Sequence, residues 1–400
     1  MDQPTQTVDI QKPYREMNPE ELSQAVEANK KIFDEHFNPE YLRHLNAEIL
    51  DFMNLYYRPV FVGFDEMASR REREYPLIYA CNHSGMAFPW DAMIFGSSLF
   101  EKHNYDLDKL FRVLVAPSLS ASDLMNPFLI PNLWKMAGAV DAYGLNFETM
   151  MHYKDANLLI YPEGVPGIGK GFNRKYEMQT FSTSMIRMAI KFKTEIVGIS
   201  CVNGEYVNPY SYSIKPIDRF VQKLGIPFLP IALQTPLLLI FPWLFYYGMP
   251  AKLTYIKGKT YKPYEMADGK SLEELSIEEV KSIRDKIQAD MQVELDKAVT
   301  QYGDKPYNWK EFRRNLRTNF KDLPFWTPIG WPALFTEFDR RYKKEGKPPK
   351  NVTKGFLSFW RIVIRNPFVL SYYIPILGWI PLVIKGLSGR EKVKEWTPDS

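Results

Sequence analysis

The chain has little of what marks a stapled or metal-clustered protein. It holds 2 cysteines in 400 residues, which excludes a disulfide framework and a zinc site built from four cysteines. It has little excess charge. The 51 Lys+Arg oppose 47 Asp+Glu, a net +4, too small for a nucleic-acid binder recognised by charge, so no nucleic-acid partner is expected. The start, Met1-Asp2-Gln3-Pro4-Thr5, has neither a basic nor an apolar stretch and does not read as a secretory signal. Long apolar runs free of proline are missing too. The uncharged runs Leu224–Ala251 and Asn366–Ile384 carry prolines at 227, 230, 236, 242 and 250, and at 367, 375 and 381. Proline removes a backbone donor and kinks a helix. A spanning helix must close its own bonds over about 20 residues. Both runs are therefore read as irregular apolar core or surface with shallow membrane insertion open to both; plain core is the stronger reading for the first, and a span is the lesser reading of the second.

What is present is uneven. The 45% apolar share is that of a globular chain. Residues 301–400 carry 19 Lys+Arg, 9 Asp+Glu and 19 aromatics. That tail is strongly basic, and the preceding body is mildly acidic. Basic and aromatic residues together point to an anionic surface, first of all a membrane. The low cysteine count fits a reducing compartment, so the expected location is the cytoplasmic side of a membrane, peripheral or monotopic.

The spacing predicts helices over Asn18–His36 and Pro39–Tyr56, the first capped by Asn18 with Pro19 and two glutamates behind it. Strands are expected at Pro59–Gly63, Pro76–Cys81, Leu110–Ala116, Leu158–Tyr161 and Ile196–Val202, and helices at Thr180–Lys193 and Ser276–Val299. Alternation of this kind implies an α/β fold. The expectation is a mixed sheet flanked by helices over 58–268, with an N-terminal helical pair over 1–57. A helical, basic and aromatic C-terminal extension covers 269–400.

Two blocks carry chemistry. In the first, a strand ends in Asn82-His83, a Ser84-Gly85 loop follows, and Asp91 sits in the first turn of a helix. A carboxylate folded back onto the imidazole would orient it and free its other nitrogen to take a proton. The bland reading is a strand-end histidine and a helix cap. The other four histidines, at 36, 44, 103 and 152, are read as surface. The second block is Tyr161-Pro162-Glu163-Gly164, running to Lys170. Gly164 to Lys170 has P-loop spacing, but Gly171 stands where a hydroxyl should hold magnesium. The better reading is a substrate loop, in which Glu163 accepts a hydrogen bond and Lys170, Arg174 and Lys175 supply charge. The bland one is a flexible surface loop.

Together the blocks resemble the glycerophospholipid acyltransferase superfamily, which includes 1-acylglycerol-3-phosphate acyltransferases. Asn82, His83 and Asp91 match its first motif, and Tyr161-Pro162-Glu163-Gly164 matches its Phe-Pro-Glu-Gly motif with one aromatic change. The likeness covers about Tyr57–Tyr264. Seven residues rather than four separate His83 from Asp91. The arginines usual in the second and third motifs are absent from Met136–Gly144 and from Val165-Pro166, which puts the acceptor's phosphate in question.

The resemblance implies acyl transfer from acyl-CoA or acyl-carrier protein to a hydroxyl of a lysolipid acceptor at a membrane surface. His83 would be the general base and Asp91 its support, with no metal and no bound cofactor. It implies substrate contacts for Asn82, Ser84, Gly85, Glu163, Gly164, Lys170, Arg174 and Lys175. The amides of Ser84 and Gly85 would meet the oxyanion. Trp360, Tyr372, Tyr373 and Trp379 would lie near lipid headgroups. The alternatives are a lipid- or acyl-carrier-binding protein of the same fold without catalysis, and acyl transfer to a lysolipid without a phosphomonoester, such as an acyl-amino-acid lipid.

Overall fold

The computed structural model describes residues 14–86, 88–120, 123–223 and 226–388. Residues 1–13, residues 224–225 of the first uncharged run and residues 389–400 of the tail lie outside it.

Seven strands form one mixed sheet: β1 (Val60–Val62), β2 (Ile78–Cys81), β3 (Phe111–Val115), β4 (Val140–Asp141), β5 (Asn157–Ile160), β6 (Ile196–Val202) and β7 (Thr254–Tyr261). Their order is β1-β7-β6-β2-β5-β3-β4. The five from β6 to β4 are parallel, and β7 runs antiparallel to β6. The central strands are apolar throughout because both faces are covered. β4 and β7 escape the sequence reading. β4 has two residues, and β7 carries Lys257, Gly258 and Lys259 on a half-exposed stretch.

The expected α/β class is the one observed, with helical regions at both ends. Asn18 caps the Pro19–His36 helix, accepting from the Glu20 and Glu21 amides while the Glu21 carboxylate accepts from the Asn18 amide. The second helix runs from Pro39 to Tyr57, interrupted by a π turn over Asn46–Leu50. Ser276 and Glu279 form the same reciprocal cap on the Ile277–Tyr302 helix. Val280, Ile283, Ile287, Met291 and Leu295 recur there at helical spacing and are buried.

The tail does not stand apart. Trp326, Trp331, Phe335 and Phe338 are completely buried in one core with Tyr41, Tyr57, Tyr79 and Phe95. Tyr56 sits edge-on to both Trp326 and Trp331. Residues from 1–57, 58–268 and 269–400 thus share a single core. Aromatic rings bury large areas, and edge-on pairs add about 0.5–1.5 kcal/mol each. Tyr372, expected at headgroups, is part of this core. His36, His44 and His103 are half-buried, and of the four histidines read as surface only His152 is exposed.

Asp51, just after the π turn, accepts a hydrogen bond from the Tyr105 hydroxyl. Burial and the neighbouring Glu101 push its carboxyl up to about 7, against the pull of Lys354. The folded protein therefore holds this proton more tightly than the unfolded chain. That contribution to stability is complete below the ordinary carboxylate range and is lost as pH rises through about 7. Asp51→Asn should raise the melting temperature at pH 8 more than at pH 5, and thermal scans at both values check it.

Candidate active site

β2 and β5 are neighbours, paired Ile78↔Leu158 through Ala80↔Ile160. The chain leaves β2 for β3 on one side, and leaves β5 for β6 on the other. The helix after β2, Trp90–Lys102, packs through Ile94 and Phe95 on the face that holds Tyr79 and Leu159. The helix after β5, Ser184–Lys191, packs on the opposite face with Ile78 and Leu158. Two crossovers leaving adjacent strands for opposite faces open a crevice at their carboxyl ends, where α/β proteins bind ligands. Both sequence blocks emerge there.

His83 and Asp91 meet as expected. Nδ1 of His83 lies 2.7 Å from Oδ2 of Asp91, whose side chain is 1% exposed. The other carboxylate oxygen accepts from the Ala92 amide at 2.9 Å. The hydroxyl of Tyr255, on β7, donates to the Asp91 carbonyl at 2.7 Å. Tyr161 covers the imidazole at 4.3 Å between ring centres. Nδ1 is thereby committed to the carboxylate, and the His83 ring borders a cavity.

The loop between them is tightly constrained. Gly85 has φ +115°, and a Cβ there would lie 3.0 Å from the Gly204 carbonyl oxygen. Gly204 faces Ser84 so closely that its own Cβ would fall 2.1 Å from the Ser84 hydroxyl. Gly204 is a residue the sequence reading passed over, although it stands two residues beyond the strand end at Val202.

The remaining expected substrate contacts serve mainly to build the site. Asn82 is fully buried. It donates to the Cys201 carbonyl at 3.1 Å and accepts from the Cys201 amide at 2.6 Å. Its side chain thus continues the β2–β6 ladder beyond the strand. Glu163 accepts from the His83 amide at 2.8 Å and from the Gln179 amide at 2.6 Å. Burial pushes its carboxyl up, opposed by Lys170 and these two amides. Ser84 donates its amide to Asp91 at 3.3 Å. Of the two amides expected at an oxyanion, that one is already committed.

Lys170 is buried at 2% exposure. It pairs with Glu205 at 3.3 Å and donates to the His83 carbonyl at 3.3 Å. It clamps the glycine loop to the His83 strand end instead of offering a free charge. Arg174 pairs with Glu177 on the exposed surface. Lys175 lies over the rings of Phe172 and Tyr206. Gly164 holds φ +59° and borders the cavity. Cys81 offers no nucleophile, because burial, then the charges of Asp91 and Glu163, push its thiol well above the ordinary range.

The cavity has a volume of about 280 Å³. It starts at His83, Tyr161 and Gly164 and reaches Leu110 and Phe100. His83 follows the carboxyl end of β2, whereas Leu110 precedes the amino end of the parallel β3. The cavity therefore runs along the strands, about 17 Å for a five-residue strand. Among the described residues, no Asp, Glu, Lys or Arg lines it.

No family model matches the chain. Curated relatives are uncharacterized proteins of Mycobacterium bovis and Mycobacterium tuberculosis, each 25% identical over 206 residues, 51% of this chain and 52% of theirs. An uncharacterized protein of Mycobacterium leprae is 25% identical over 210 residues, 51% of each chain. The chain thus spans about half the length of the curated relatives it matches.

The Lys170–Glu205 pair yields a stability test. Lys170→Met strands a buried carboxylate and should cost about 3–5 kcal/mol of unfolding free energy. Adding Glu205→Gln to it should restore much of that loss. Urea denaturation of the single and double variants checks both values.

Proposed function

We propose that this protein is an O-acyltransferase that moves an acyl group from a thioester donor to a lipid hydroxyl at a membrane surface. The observation that carries the reading is the 2.7 Å His83–Asp91 contact beside a cavity whose described lining holds no Asp, Glu, Lys or Arg. The resemblance in the two sequence blocks supports the same reading.

The proposed steps use the His83–Asp91 contact. Asp91 holds Nδ1–H, leaving Nε2 to take the proton of an acceptor hydroxyl. The oxygen attacks the thioester carbonyl carbon, the C–S bond breaks, and the imidazolium returns the proton to the departing thiolate. An ester and a free thiol result, and no acyl-enzyme forms. The apolar cavity suits the acyl chain, since burying an uncharged chain there costs no unpaired charge. The arrangement of the cations favours an acceptor without a phosphomonoester. Lys170 is paired internally, Arg174 pairs with Glu177, and no cation among the described residues lines the cavity.

His83→Ala should lower turnover by about 10²–10⁴-fold or more in protein that still folds. Asp91→Asn should fall within the same range, because the ring loses its orienting partner. The assay offers acyl-CoA and acyl-carrier protein as donors to a panel of lysolipids, with and without a phosphomonoester, and reads products by lipid mass spectrometry. Full turnover in His83→Ala would refute the mechanism. Lipid binding without product from any donor would favour the non-catalytic alternative.

A further inference from the structure

The two uncharged runs, about 120 residues apart in the chain, come together on the surface. The Ile376 amide donates to the Ile240 carbonyl at 2.7 Å. The Trp379 indole donates to the Leu239 carbonyl at 3.0 Å. Around this seam Leu237, Leu239, Ile376, Leu377, Ile380 and Ile384 are 51–66% exposed.

The helix Thr235–Ile240 is unusual in its composition. Thr235 and Leu238 line the cavity, whereas Leu237 and Leu239 face outward. A helix at a water surface normally turns a polar face outward, and this one is apolar on both sides. Tyr373 continues the surface, its ring 5.9 Å from Phe359 on the helix Phe356–Arg365. That helix exposes Phe356, Leu357, Trp360 and Ile364, with Arg361 and Arg365 between them.

The tail segment that builds this surface carries only cations, and one of them, Arg365, lies 4.0 Å from Glu337. From Gly346 to Ser388 the chain has Lys347, Lys350, Lys354, Arg361, Arg365 and Lys385 and no acidic residue. An apolar face bordered by cations is complementary to the acyl region and headgroups of an anionic leaflet.

We propose that this surface docks on an anionic phospholipid leaflet, and that lipid reaches His83 sideways, through the wall built by residues 226–247. That wall has the cavity on one side and the docking face on the other. An acyl chain passing along it never crosses water. The docking stands on the surface alone. The route rests on the acyl-transfer reading.

The test uses the purified full chain, sedimented with vesicles of phosphatidylcholine alone and of phosphatidylcholine with one-third phosphatidylglycerol. The wild type should sediment with the anionic vesicles and less with the neutral ones. Leu237→Asn/Leu239→Asn/Ile376→Asn should weaken binding on the order of tenfold or more, since it removes inserted apolar area. Arg361→Glu/Arg365→Glu should lose the preference for anionic vesicles, roughly fivefold per charge. The apolar side chains and Arg361 are exposed, so the melting temperature should not move in the apolar variant or in Arg361→Glu alone; Arg365 also lies 4.0 Å from Glu337, so the single Arg361→Glu variant controls for the lost pair. His83→Ala should bind vesicles like the wild type, which separates docking from catalysis. For the route, the apolar variant should lose turnover on lysolipid embedded in vesicles and keep it on a water-soluble short-chain lysolipid.

Wild-type protein left in the supernatant with both vesicles would overturn the docking, as would equal sedimentation of the variants. A wild-type dimer that the apolar variant dissociates would assign the face to a second copy instead. Equal loss of turnover on both substrates would overturn the route.

Discussion

A buried carboxylate ties the site together. Glu163 accepts from the His83 amide on one side and the Gln179 amide on the other. It holds the end of β2 against the end of β5, and everything around the crevice follows from that contact. Lys170 reinforces it from the glycine loop, through the His83 carbonyl and Glu205. Asn82 does the same toward β6. A buried charge that lost these partners would be costly, so these groups work as one network rather than as separate contacts. The imidazole of His83 is what this network presents to the cavity.

The cavity and the proposed membrane face belong to the same piece of chain. Residues 226–247 are apolar on both sides, one lining the space beside His83 and one exposed. A soluble enzyme handling a small polar substrate would gain nothing from such a wall. A protein that takes acyl chains from a leaflet would use both sides of it. The tail contributes in two ways. Trp326, Trp331 and Tyr372 lock it into the core, and the stretch around Trp360 and Ile376 stays at the surface.

Much of this was legible residue by residue. The Asn18 cap, the strand at Ile196–Val202 and the pairing of His83 with Asp91 rest on local signals. A cap needs three neighbouring residues, and a buried strand needs a run of apolar ones. The His–Asp contact needs only a loop of the right length. Harder to read were contacts made across the sheet. Lys170 looked like a substrate cation because its partner, Glu205, lies 35 residues away on the loop after β6. The tail read only as a basic, aromatic extension because composition does not separate its buried tryptophans from its exposed arginines. β7 gave no strand signal because half of it is solvated and lysine-rich.

The sequence by itself determined the local elements, the α/β alternation and the two blocks that carry the candidate chemistry. These depend on periodicity and on residue types a few positions apart. Only the tertiary structure decided the order of the strands, the roles of Asn82, Glu163 and Lys170, and the meeting of the two uncharged runs. Those depend on which distant segments become neighbours once apolar area is buried. A residue's charge or hydropathy does not say which partner, from far along the chain, will stand beside it.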